Sequence, residues 1–130
     1  MSGMRPAACG FLDICCVLAF VLIGRSAHHH GETIAGLAMT AWPFLAGLAA
    51  GLLVTRAWRR PAAIVPGGMG AWLGTVVIGM LLRVIFGQGT AFAFILVALA
   101  FLGLFMLGWR VAAHGVTAAR SRAARSRAAA

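Results

Sequence analysis

With 130 residues, 62% of them hydrophobic and 10% charged, and a mean hydropathy of +0.98, the chain lacks the polar residues to cover a water-soluble domain, since such domains carry about a quarter charged residues. Its net charge of +9 comes from eleven arginines against two acids, with no lysine. On a polar domain such an excess would suggest nucleic acid. Here the arginines flank apolar runs, which argues for no nucleic-acid partner and for anchoring against anionic lipid instead.

Four apolar runs approach the roughly 20 residues that a helix needs to cross a hydrocarbon core about 30 Å thick. The first covers about residues 8–24 and holds Asp13 together with Cys9, Cys15 and Cys16. An odd number of cysteines without CxxC spacing indicates neither a disulfide framework nor a zinc site, so they read as packing residues. Asp13 interrupts the apolar stretch, and no small-x-small pattern follows it, so a retained helix is expected rather than a cleaved leader. The polar segment after it, with Arg25, His28, His29, His30 and Glu32, forms a candidate outer-loop cluster. Consecutive histidines lack the i, i+4 spacing of a defined metal site, and Glu32 is placed to favour the N-terminus of the next helix through its dipole.

The second run, about 33–54, sets Gly36, Thr40, Pro43, Gly47 and Gly51 on one helical face. Gly47 and Gly51 have the small-xxx-small spacing that lets helix backbones approach in membranes. Pro43 removes a backbone donor and frees the Met39 carbonyl; Thr40 is expected to help satisfy the liberated groups. A loop with Arg56, Arg59, Arg60, Pro61 and Pro66 leads to the third run, about 69–86. There Gly70 and Gly74 repeat the close-contact spacing, while Trp72, Thr75, Gly79 and Arg83 share a face. Arg83 either snorkels to the outer interface or turns inward toward an anionic group. After Gly87-Gln88-Gly89 comes the fourth run, about 90–111, bulky with Phe92, Phe94, Phe101 and Phe105. Trp58 and Trp109 fit interfacial anchors. The remainder, 114–130, is a low-complexity basic segment, expected to be a disordered cytoplasmic tail that meets anionic lipid head groups.

Four spans put the N-terminus, the middle loop and the tail on one side, with nine of the eleven arginines; only Arg25 and Arg83 lie on the other. By the positive-inside rule both termini are cytoplasmic in a multi-pass protein of the cell membrane. The fold expected is an all-α, four-helix transmembrane bundle with antiparallel neighbours, one membrane domain over 1–113. An intramembrane carboxylate costs roughly 2.5–3.5 kcal/mol and requires an explanation. For Asp13 the explanations are an ion pair with Arg110, in the same leaflet at the cytoplasmic end of the fourth span, or the handling of a proton or cation. Asp13, Thr40, Pro43, Thr75, Arg83 and Arg110 make up a candidate polar seam.

The ordered series resembles the family catalogued as domain of unknown function 3054. It comprises Asp13, Gly24-Arg25 with His and Glu following, Pro43-Phe44, Trp72 with Thr75, Gly79 and Arg83, and Gly108-Trp109-Arg110. The resemblance spans the chain to about Val111 and implies a small four-helix integral membrane protein, with no activity to transfer. With two acids and no tyrosine, the inventory offers few acid–base groups. We therefore expect no enzyme, no catalytic, cofactor or metal site, and no cofactor. The expected role is a membrane-organising or assembly subunit whose glycine faces serve association, a homo-oligomer included. The alternative is a small proton- or cation-coupled transporter using Asp13.

Overall fold

A computed structural model describes residues 5–27 and 33–130. Its helices are α1 (Pro6–Ala27), α2 (Ile34–Val54), α3 (Ile64–Ile85) and α4 (Phe92–Ala129). All four are long and apolar enough to cross a membrane, and no strand occurs among the described residues. The outer loop residues His28, His29, His30 and Glu32 lie outside the described residues.

Local chemistry sets the ends of these rods. Thr33 is extended (φ −112°, ψ 147°) and its hydroxyl accepts from the Gly36 amide at 3.0 Å, which caps α2. The start of α3 lies earlier than the expected residue 69. Val65 is extended (φ −122°, ψ 129°), as the residue before a proline tends to be. Pro66, read in the sequence as part of the loop, occupies a first helical turn, where its missing donor costs nothing. α3 ends at Gly87, whose φ of +73° is left-handed. The Gln88 amide bonds the Arg83 carbonyl at 2.7 Å and the Gly87 amide bonds that of Val84 at 3.2 Å, the paired bonds of a Schellman motif.

The largest departure from expectation is the basic segment 114–130. It is not a disordered tail but the uninterrupted continuation of α4, a helix of 38 residues about 57 Å long. Alanine and arginine are among the best helix formers, and arginines in the last turns suit the helix dipole. His114 Nε2 lies 2.9 Å from the Ala62 carbonyl oxygen, fastening the first turn of the extension to the α2–α3 loop.

Two kinds of packing hold the bundle. α2 and α3 meet through glycines. A Cβ on Gly47 would stand 3.0 Å from the Gly79 nitrogen and 3.1 Å from Thr75 Cα, and would collide with the Gly74 carbonyl oxygen. One on Gly51 would collide with the Gly70 carbonyl oxygen, and one on Gly74 would come within 2.7 Å of the Gly47 carbonyl oxygen. The glycine faces expected to serve association are thus turned on each other within one chain. Gly36 differs: the side chain facing it is Arg25, not another helix backbone. Between Gly74 and Ile78 the helix opens into a wide π-type turn, which brings Gly74 and Gly79 to the same side of α3.

The second kind is aromatic. Phe20 of α1 packs on Phe44 of α2 and on Phe94 and Phe101 of α4, with centroids 5.5, 5.7 and 5.5 Å apart. Val17, Leu48, Val76, Leu102 and Met106 complete the buried core around them. Phe92 and Phe105, also of α4, are exposed, and Phe105 packs on Phe101 with centroids 4.5 Å apart.

Candidate functional site

The polar residues form two clusters, one near each end of the bundle, and not one continuous seam. Thr75 belongs to neither: buried in mid-bundle, its hydroxyl donates to the Ala71 carbonyl of its own helix at 2.6 Å.

At the end carrying both termini, Asp13 and Arg110 are each 0% exposed. Arg110 Nη1 donates to Asp13 Oδ1 and Nη2 to Oδ2, both at 2.8 Å. This is the fork-to-fork geometry for which a planar guanidinium is preorganised. Trp109 Nε1 donates to the same Oδ1 at 3.0 Å, and the Arg110 guanidinium lies 4.3 Å from the Trp109 ring centroid. Trp109, expected as an interfacial anchor, is thus also a partner of the carboxylate. Arg110 Nη1 also reaches the Met106 carbonyl at 3.0 Å. Its aliphatic stem crosses Gly68, where a Cβ would stand 2.8 Å from Arg110 Cδ. Among the described residues only Arg110 Nε stays buried without a hydrogen bond in this cluster. Desolvating two charges is expensive unless the pair is well aligned and further bonded; three hydrogen bonds on one carboxylate meet that condition.

At the opposite end, Arg25 Nη1 donates to Thr40 Oγ1 at 2.9 Å, and the Thr40 hydroxyl donates to the Gly36 carbonyl at 3.0 Å. Arg83 curls back over its own turn. Nε donates to the Gly89 carbonyl at 2.9 Å and Nη1 to Gln88 Oε1 at 2.8 Å. Its guanidinium lies 4.9 Å from the Phe94 centroid and 5.8 Å from that of Phe44, within cation–π range. Gln88 Nε2 in turn donates to the Met39 carbonyl at 3.3 Å. That is the carbonyl Pro43 deprives of its helical donor, so the vacancy expected for Thr40 is filled by Gln88 from the neighbouring hairpin. Sequence reasoning missed this role because a glutamine between two glycines reads simply as a turn.

Arg25, Thr40, Arg83 and Gln88 line a cleft of about 720 Å³ between α1 and α4, whose walls include Phe20, Val21, Phe94 and Val97. Val97, 56% exposed, stands at its rim, so the cleft opens sideways between the helices. A second cleft of about 530 Å³, bordered by Trp42 and Phe86, shares Arg25, Thr40 and Gln88.

A family model described as protein of unknown function (DUF3054) matches residues 11–113. The matched stretch contains both polar clusters and ends just before the basic extension. No curated protein and no solved structure matches the chain.

Proposed function

Starting from the fact that this chain belongs to the DUF3054 family, we propose that it is a non-enzymatic, membrane-organising or assembly subunit of the cell membrane in which Asp13 is structural. The observation that carries this reading is the bidentate, fully buried Asp13–Arg110 pair with Trp109 as third donor. A carboxylate that carries protons or cations has to exchange ligands with water, whereas this one is sealed by its partners. The chemistry suits a pin between the first and last spans.

The test is Asp13→Asn compared with the native chain in proteoliposomes under an imposed pH gradient. Equal proton and cation fluxes are expected in both, together with reduced accumulation of the variant in cells. A flux that requires the native carboxylate, with normal accumulation of the variant, would reverse the reading in favour of transport.

Orientation belongs to the same proposal. Nine of eleven arginines lie at the end of the termini and the middle loop, so the positive-inside rule sets both termini in the cytoplasm. A phosphatase active only outside the cytoplasm, fused after Ala130, should be silent, and the same enzyme inserted after Gly89 should be active. Activity of the first fusion would refute the orientation.

A further inference from the structure

Among the described residues, the charged side chains that line the cleft between α1 and α4 are both arginines. Arg25 and Arg83 both border it, and no carboxylate pairs with Arg83 among the described residues. The chain has two acids, of which Asp13 is committed at the other end of the bundle. Even with Glu32 counted here, two arginines leave this end with an excess of positive charge. Arg83 spends Nε and Nη1 on its turn, and its Nη2 makes no hydrogen bond among the described residues. Rings of Phe44 and Phe94 hold the guanidinium in place, and the Gln88 and Gly89 contacts fix its plane. Below the two cations the walls are apolar, and Ala93 and Val97 at the open side are exposed. A polar head set beside an apolar trough that opens sideways between the helices selects an amphiphile.

We propose that this cleft binds one anionic phospholipid from the leaflet at the end opposite the termini. Its phosphate lies between Arg25 and Arg83, and an acyl chain runs along Val21, Phe94 and Val97. Guanidinium groups match phosphate oxygens through paired N–H donors. The site is distinct from the basic extension of α4, whose arginines lie at the other end of the bundle, and it stands whether or not Asp13 proves structural.

The experiment uses the full chain in nanodiscs of phosphatidylcholine containing a minor fraction of phosphatidylglycerol with the same acyl chains, read by native mass spectrometry. One phosphatidylglycerol should stay bound in preference to phosphatidylcholine by about tenfold, the order expected from charge-assisted bonds of about 1.4 kcal/mol net advantage. Arg83→Gln should bring the two lipids to parity, and Arg83→Lys should recover part of the preference. Ala93→Phe, which fills the trough and keeps both arginines, should also abolish retention and keeps the test valid if Arg83→Gln does not fold. Replacing Arg120, Arg122, Arg125 and Arg127 by glutamine should leave the retained lipid in place. Equal retention of both lipids by the native chain, or loss confined to the variant of the extension, would overturn the proposal. So would displacement of the lipid by excess inorganic phosphate, which would assign the site to a soluble anion.

Discussion

Asp13→Ala should destabilise the bundle by about 3–5 kcal/mol, because it strands the Arg110 guanidinium in a site closed to solvent and, among the described residues, without another acid. The expected readouts are loss of most of the protein from the membrane fraction and a lowered midpoint of thermal unfolding in detergent. Arg110→Met should behave alike, since it leaves the carboxylate buried with only Trp109. Trp109→Phe, which deletes one hydrogen bond to a charged group, should cost less, about 1.5–3 kcal/mol. The discriminating variant is the double replacement Asp13→Leu with Arg110→Met. Replacing a buried pair by apolar residues is often neutral or stabilising, so the double variant should accumulate better than either single one. A double variant as poor as the worse single variant would show that the pair is not the unit of stability.

The second large effect concerns the contact between α2 and α3. Gly51→Leu should separate the two helices, because even a Cβ at that position collides with the Gly70 carbonyl oxygen, and backbone cannot step aside cheaply. Overpacking typically costs about 1–3 kcal/mol and occasionally more; a whole isobutyl group pressed against helix backbone belongs at the upper end. Gly47→Leu should be comparable, as its Cβ meets the backbone of Gly74, Thr75 and Gly79. Gly24→Leu serves as the control, since nothing lies within 4 Å of a Cβ there, and it should be tolerated. Unfolding of the three variants in detergent, followed by circular dichroism, separates these cases. A Gly51→Leu protein as stable as the control would remove the glycine contact from the account of the fold.

What can be read from the residues alone depends on how local the physics is. Four spans are legible because the cost of polar groups in hydrocarbon leaves long apolar runs in the sequence. The Asp13–Arg110 contact is legible for a related reason. A lone carboxylate inside a span needs a cation in its own leaflet, and antiparallel order puts Arg110 there. Trp109 is legible only in part, because tryptophan at a span end ordinarily marks the interface, and nothing in its spacing announces a bond to Asp13. The glycine faces are visible at α-helical spacing, but Gly74 and Gly79, five residues apart, face the same neighbour only through the π-type turn, which no residue type signals. The extension of α4 is obscured by its repetitive composition. Low complexity suggests disorder, whereas alanine and arginine in that context simply prolong an existing helix. Arg83 is open between two directions in the sequence, and its fold-back depends on Gly87 adopting a left-handed conformation and presenting Gln88 and Gly89 to it.

The hydrogen bond from Gln88 to the Met39 carbonyl has a mechanical meaning for α2. A proline inside a helix is commonly treated as a pivot, free to flex because one rung of its ladder is missing. In this protein the rung is supplied from outside, by a side chain forty-nine positions further along, and that side chain is itself braced by Arg83. The missing rung at Pro43 is therefore a shared property of two neighbouring rods: one creates the gap, the other closes it, and any flexing of the first at that point would have to pull the second along.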